Sequence, residues 1–149
     1  MTAEVRPVLL PGDGDALLRL IFAHAVYERN GQVFDGLLGR LRTRIAERRL
    51  RIWVAVEDDT ICGYASMTVD VATWTGYNFA HLDCLFVDED SRSRGIGASL
   101  LAAVVVKAHG LGCTELQWQT PDWNERAIAF YRRTGAVDRA KARFTLSFL

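Results

Sequence analysis

The segment from Ala80 to Gln119 limits the fold more than any other part of the sequence. It begins with the β-rich run Ala80–Val87, continues as an apolar helical pattern over Gly95–Ala108 and ends in the short strand pattern Glu115–Gln119. A strand, a helix and a second strand in this order form a parallel pair joined by a right-handed crossover. The chain is therefore expected to build a sheet that contains such a pair.

The rest of the chain supplies partners for this pair. Strands are expected at Val5–Leu9, Arg51–Val56, Ile61–Val69 and Ala142–Phe148. Helical spacing of apolar residues predicts helices at Asp15–Arg29, Asp35–Arg49 and Asn124–Arg133, the first of them capped by Asp13. The order of these elements predicts an α/β fold, with a mixed sheet and helices on its faces.

Composition excludes several classes of partner. The 149 residues carry 18 Lys and Arg against 18 Asp and Glu, so the formal net charge is zero and neither nucleic acid nor a membrane is expected as a partner. The sequence shows no secretory signal and no apolar run near the roughly 20 residues of a membrane span, which predicts a soluble, cytoplasmic protein. No repeat or linker interrupts the chain, so a single domain over residues 1–149 is expected.

The three cysteines, Cys62, Cys84 and Cys113, have no metal-ligand spacing. We expect neither a disulfide framework nor a metal site, but buried thiols. Cys84 is not favoured as a nucleophile, because no His and Asp companions are signalled for it.

The turn before the apolar helix contains Gly95 and Gly97, and such a turn exposes backbone N–H groups at a helix N-terminus. This arrangement suits a phosphate group. The dinucleotide fingerprint would need a third glycine where Leu100 stands, and the P-loop would need Gly-Lys-Ser/Thr, so neither of these patterns is present.

Two ordered patterns resemble signatures of the GNAT family of N-acetyltransferases. Arg92, Gly95 and Gly97 match its Arg-x-x-Gly-x-Gly motif, and residues 124–136 match its Asn-x-x-Ala-x-x-Phe-Tyr-x-x-x-Gly-Ala pattern. The sequence around Trp123-Asn124-Glu125 most resembles that of the spermidine/spermine, diamine and thialysine acetyltransferase branch. The resemblance implies the GNAT fold, a mixed, mostly antiparallel sheet of about six or seven strands with a central splayed parallel pair, flanked by about four helices.

The resemblance also implies acetyl-CoA as co-substrate, without a metal. The pyrophosphate is expected on the N–H groups of the glycine-containing turn, and the pantetheine arm on the backbone edge of the strand before it. The expected acetyl-CoA-binding residues are Leu85, Phe86, Val87, Arg92, Ser93, Arg94, Gly95, Ile96, Gly97, Ala98, Asn124, Ala127 and Tyr131.

For catalysis, the resemblance implies direct attack of an amine on the acetyl group, with Tyr131 as the acid that assists the leaving thiolate. Asp83 is the candidate base, where the polyamine-acetylating branch has Glu. His24, His81 and His109 are weaker candidates for the base. Strict alternation along the strand predicts that Leu82, Cys84 and Phe86 lie on one face, and Asp83, Leu85 and Val87 on the other.

The amine substrate is expected to be a small diamine, polyamine or lysine-like molecule bound by Tyr27, Glu28, Asp70 and Asp83. The alternatives are another amine, such as an aminoglycoside, an amino-acid derivative or a protein N-terminus, and a non-catalytic acyl-CoA-binding regulatory module. The branch forms homodimers, and the β-rich tail Arg143–Leu149 is a candidate for pairing either across such an interface or within the chain.

Overall fold

A single sheet runs through the computed structural model, which describes residues 3–29 and 31–149. Its five strands in those residues are Glu4–Pro7 (β1), Arg51–Glu57 (β2), Thr60–Val71 (β3), Asn78–Val87 (β4) and Leu116–Gln117 (β5), in that spatial order. Neighbours from β1 to β4 are antiparallel, and β4 and β5 are parallel. The predicted parallel pair is confirmed.

Four α-helices accompany the sheet in the described residues: Gly14–Glu28 (α1), Leu37–Ala46 (α2), Ile96–Gly110 (α3) and Glu125–Arg133 (α4). The chain divides into two compact units, one ending at Trp118 and the other spanning Gln119–Leu149. The first unit holds the sheet and α1 to α3, and the second holds α4. The α/β fold class is confirmed, whereas a single domain over residues 1–149 stays a prediction.

Both faces of the sheet in the first unit are buried. Trp53 and Ala55 of β2 pack on the side of α3, in one apolar cluster, while Ile52 and Val54 pack on the side of α1, in another. A strand covered on both faces needs apolar residues at every position, which explains the unbroken apolar run of β2. Within residues 3–29 and 31–149, none of the helices combines the length and the apolar composition that crossing a bilayer requires.

A β-bulge in β4 overturns the predicted alternation. Ser66 of β3 pairs with Cys84 and Met67 pairs with Leu82, so Asp83 is the extra residue between them. Leu82 therefore packs on the α3 side together with Leu85 and Val87, while Cys84 and Phe86 pack on the α1 side. The prediction that Leu82 shares a face with Cys84 and Phe86 is wrong, because the bulge shifts the phase of the strand.

The predicted strand Ala142–Phe148 is absent, since residues 142–148 form no regular element. Phe144, Leu146 and Phe148 alternate with polar residues, yet their side chains are 93%, 81% and 92% exposed. Alternation alone does not make a strand, because a strand also needs a neighbour for its backbone hydrogen bonds. The sheet thus has five strands instead of about six or seven, and the parallel pair lies at its edge.

The predicted cap of α1 is also wrong. The side chain of Asp13 caps no N–H of the helix. Its carboxylate instead accepts hydrogen bonds from the Arg6 guanidinium, at 2.7 and 3.1 Å, and from the Leu9 backbone N–H, at 2.7 Å. The hydrogen bond from Arg6 lowers the pKa of Asp13, and these contacts tie β1 to the start of α1.

Two valines of α3 give a matched test of the packing. Val104 is fully buried and Val106 is 73% exposed. We expect Val104→Ala to lower the free energy of unfolding by about 2 kcal/mol, because it removes buried methyl groups and leaves a cavity. Val106→Ala should change it by less than about 0.5 kcal/mol. Urea denaturation monitored by circular dichroism measures both, and equal effects would contradict the burial of this helix face.

Candidate active site

The turn between β4 and α3 forms a cradle of backbone N–H groups. After the short 3-10 helix Glu89–Ser91, the chain enters α3 through Ser93 and Gly95, both left-handed, with φ of 66° and 79°. The positive φ of Gly95 favours glycine at this position, although a Cβ there would have open space around it. The N-cap residue of α3, Gly95, has no side chain that could cap the helix, and the first turn of α3 holds no acidic residue. The cradle therefore fits an anionic oxygen.

Arg92 joins this turn to α1 and β4. Its Nε donates a 2.9 Å hydrogen bond to the Val87 carbonyl oxygen. Its guanidinium carbon lies 5.0 Å from the ring centre of Tyr27 and 5.3 Å from that of Phe86, within cation–π range. The turn, the end of β4 and the C-terminal end of α1 are thus held together by one side chain.

Arg94 braces the same turn against β2. Its Nη2 lies 2.9 Å from Oε1 of Glu57, whose side chain is only 12% exposed, and donates to the Asp90 carbonyl oxygen at 3.2 Å. The phosphate contacts expected of Arg92 and Arg94 stay predictions.

The edge of β4 expected to bind pantetheine lies beyond the reach of β5. Leu85, Phe86 and Val87 pair with β3 on one side, whereas β5 pairs with β4 only at Ala80 and His81. The two parallel strands thus share a short register at the start of β4.

Beside this edge, a hydrogen-bonded cluster connects α1, β3 and β4. His24 Nδ1 lies 2.7 Å from the Tyr64 hydroxyl, and Nε2 lies 3.2 Å from Glu28 Oε1. The His24 ring stacks on Phe86 at 5.0 Å between centres. Of the residues the sequence singled out, Tyr27, Arg92 and His24 therefore meet around Phe86, and Glu28 is connected to them through His24.

Tyr64 was not among the residues that the sequence singled out, and His24 was named only as a weaker candidate for the base. The signals were present, because His24 and Glu28 have the i, i+4 spacing of neighbours on one helix face. Tyr64 is a hydroxyl-bearing residue in an otherwise apolar strand, and a buried hydroxyl needs a partner.

Asp83 reaches the edge of this cluster from the bulge in β4. Its side chain is 60% exposed, with Oδ1 3.6 Å from His81 Nε2 and Oδ2 3.8 Å from the Cys84 sulfur. Burial lowers the pKa of His24, and the charge of Asp83 acts in the opposite direction. Asp70, in contrast, is exposed further along β3, where it pairs with Phe79. No three His, Cys, Asp or Glu side chains within the described ranges are grouped to hold a metal ion.

Burial controls the titration of the inner side chains. It is the main cause of the raised pKa of Tyr64 and of the raised pKa of Cys84, which reaches about 11. It also lowers the pKa of His24, against the opposing effect of Glu28. Below about pH 9, Cys84 is thus a neutral thiol.

The second unit carries the other predicted site residues. Asn124 precedes α4 and accepts a hydrogen bond from the Ala127 N–H at 3.4 Å, so its side chain caps the helix. The ring of Tyr131 lies 5.2 Å from that of its neighbour Phe130.

Comparisons with known proteins show which family the chain belongs to. Residues 19–136 match the sequence model described as the acetyltransferase (GNAT) family. The chain belongs to the GNAT family of acetyltransferases. This match confirms the resemblance drawn from the two signatures, and the GNAT segment includes α1 from residue 19 onward, the glycine-containing turn and α4.

Curated relatives agree with this family. Thialysine N-epsilon-acetyltransferase of Bos taurus is 33% identical over 82 residues, which cover 55% of this chain and 48% of that protein. L-ornithine N5-acetyltransferase of Arabidopsis thaliana is 30% identical over 81 residues, covering 54% and 36%. The chain spans about half the length, or less, of these relatives.

Solved structures share the GNAT fold. An aminoglycoside acetyltransferase from an uncultured soil metagenomic sample superposes with a TM-score of 0.85 at 20% identity, covering 99% of this chain and 97% of that one.

The state of Cys84 is testable by alkylation. With a pKa of about 11, its thiolate fraction at pH 8 is small. We expect iodoacetamide to modify it at least about 100-fold more slowly than in the same protein unfolded in urea. Peptide mass spectrometry of timed samples measures the rate, and equal rates in the two states would show that Cys84 is ionised and accessible.

Proposed function

We propose that this protein transfers an acetyl group directly from acetyl-CoA to a primary amine of a small cationic molecule, such as a diamine, polyamine or lysine-like compound. One juxtaposition carries the proposal. Arg92 connects the N–H cradle, which suits phosphate, with the end of α1, where Glu28 stands and which suits a cation. The N–H cradle thus suits the anionic acetyl-CoA, and the carboxylate at the end of α1 suits the cationic amine.

In this proposal, the N–H groups of residues 94–98 bind the pyrophosphate, assisted by Arg92, Ser93 and the dipole of α3. The backbone edge of Leu85–Val87 binds the pantetheine arm by hydrogen bonds, in the way that it would bind an additional strand. Asn124 and Ala127 contribute to acetyl-CoA binding by their match to the second GNAT signature. Acetyl-CoA supplies the activated acetyl group as co-substrate.

The proposed reaction needs a base and an acid. Asp83, directly or through water, accepts a proton from the ammonium, so that the amine nitrogen can form a bond to the acetyl carbon. As the carbon–sulfur bond breaks, the Tyr131 hydroxyl gives a proton to the thiolate. No acyl-enzyme forms, which agrees with the high pKa of Cys84, the only cysteine in the cluster of described residues around His24.

The substrate class follows from the carboxylates. Glu28 and Asp83, with Asp70 further along β3, are proposed to bind the charged parts of the amine, and Tyr27 to contact its aliphatic chain. The names of two relatives, for thialysine and L-ornithine, support a substrate with a side-chain amine.

A homodimer is part of this proposal. The exposed side chains of Phe144, Leu146 and Phe148 support it, because a tail of alternating apolar residues without a strand neighbour suits pairing with a second copy. A cytoplasmic location stays a prediction.

An amine panel tests the proposed activity. Acetyl-CoA consumption, followed with a thiol reagent, is expected with thialysine, ornithine, lysine or putrescine, and at lower kcat/KM with an aminoglycoside or an N-terminal peptide. Glu28→Gln should raise KM for the preferred amine about tenfold, because one charged contact is lost. Glu47→Gln, at the exposed residue that follows α2, is the matched control. If acetyl-CoA binds in calorimetry but no amine is acetylated, the protein is an acyl-CoA-binding module instead.

The acid is tested by Tyr131→Phe. We expect kcat to fall by roughly 100-fold or more, because the leaving thiolate loses its proton donor, while affinity for CoA stays within about threefold. Tyr77→Phe, at a 63% exposed tyrosine, is the control for the substitution itself. Unchanged turnover in folded Tyr131→Phe would remove Tyr131 as the acid.

A further inference from the structure

His24 is enclosed where most histidines would be solvated. Its side chain is only 12% exposed, while that of Glu28, one helical turn later, is 36% exposed. Phe86 stacks on one side of the ring, and Tyr64 meets its edge in a T-shaped contact. The imidazole therefore lies behind the Glu28 carboxylate, on its protein side.

The two hydrogen bonds of His24 specify one tautomer. A carboxylate only accepts hydrogen bonds, so Nε2 carries the hydrogen and donates it to Glu28. Nδ1 then holds the lone pair and accepts from the Tyr64 hydroxyl, at 2.7 Å. Because Nδ1 is occupied by Tyr64 and Nε2 already carries a hydrogen, neutral His24 has no lone pair directed at a substrate.

The charged groups that act on His24 lie on its own helix, on β4 and in the turn before α3. Glu28 on its own helix and Asp83 on β4 favour the imidazolium, whereas Arg92 in the turn opposes it. Tyr64 on β3 and Cys84 on β4 are neutral groups with raised pKa values. Burial outweighs the two carboxylates and lowers the pKa of His24, so the ring is neutral at pH 7.

We propose that His24 is a positioning residue for the amine substrate: its neutral imidazole holds Oε1 of Glu28, leaves the second carboxylate oxygen to bind the substrate ammonium, and weakens that binding when it becomes protonated. The proposal rests on the proposed acetyltransferase function and names how its amine site is regulated. Protonation would pair Glu28 with an imidazolium and bring a second cation beside the ammonium. His24 itself exchanges no proton with the substrate.

Two substitutions separate the two contacts of His24. In His24→Gln the side-chain amide nitrogen takes the place of Nε2, so the hydrogen bond to Glu28 is kept and the titration is lost. In His24→Asn a polar atom takes the place of Nδ1, so the contact with Tyr64 is kept and the one with Glu28 is lost. Circular dichroism and thermal melting check that both variants fold.

The readout is the affinity of the CoA-loaded protein for the preferred amine between pH 5 and pH 8, by isothermal titration calorimetry. In the wild type, the dissociation constant should rise as the pH falls through the pKa of His24, and level off once the imidazolium predominates. His24→Gln should match the wild type within about threefold at pH 8 and lose this rise. His24→Asn should bind about tenfold more weakly at every pH, with kcat within about threefold of wild type.

An NMR titration of wild-type His24 gives a test that depends on no variant of that residue. The amine should lower the pKa of His24 in the CoA-loaded protein, because two cations repel each other, and Glu28→Gln should lower it in the free protein. An unchanged pKa on adding the amine, or a wild-type pH response in His24→Gln, would overturn the positioning role while acetylation persists. A wild type that acetylates no amine would instead overturn the proposed function itself.

Discussion

The extra residue in β4 is the constraint on which the proposed site depends. Without the bulge, strict alternation would hold along the whole strand, and the side chains before and after Asp83 would keep one phase. With it, Leu82 and Leu85 lie on the α3 face, while Phe86 turns toward α1 and meets Tyr27, His24 and Arg92. The bulge thus brings the end of β4 to the end of α1.

Most of the fold was predictable because apolar periodicity reports burial directly. The helix pattern of Gly95–Ala108 and the strand pattern of Ala80–Val87 both form as expected, and their crossover gives the parallel pair. The strand predicted over residues 142–148 does not form, because alternation of apolar residues does not say whether a neighbouring strand exists. The bulge at Asp83 could not be predicted from the sequence pattern, because a single additional residue of any type is enough to shift the alternation of a strand.

The part of the site that a sequence motif specifies could be predicted. The part that depends on contacts between residues distant in the sequence could not. The Arg-x-x-Gly-x-Gly motif predicted a turn that leads into a helix, and the chain does turn into α3 there, with Gly95 left-handed. The partners of His24, in contrast, come from β3 and β4 as well as its own helix, and only the folded chain shows that Tyr64 meets it. The i, i+4 spacing within α1 indicates only the contact between His24 and Glu28, because the other partners come from distant elements.

The ion pair between Arg94 and Glu57 has a kinetic consequence. Together with the hydrogen bond from Arg92 to Val87, it fixes the cradle before any ligand arrives. A prearranged loop loses little conformational entropy when a ligand binds, and association need not wait for a rearrangement. Encounter with the acyl-CoA that is proposed to bind at this turn should therefore be a simple second-order process, in which the lifetime of the complex, and not its rate of formation, distinguishes one acyl donor from another.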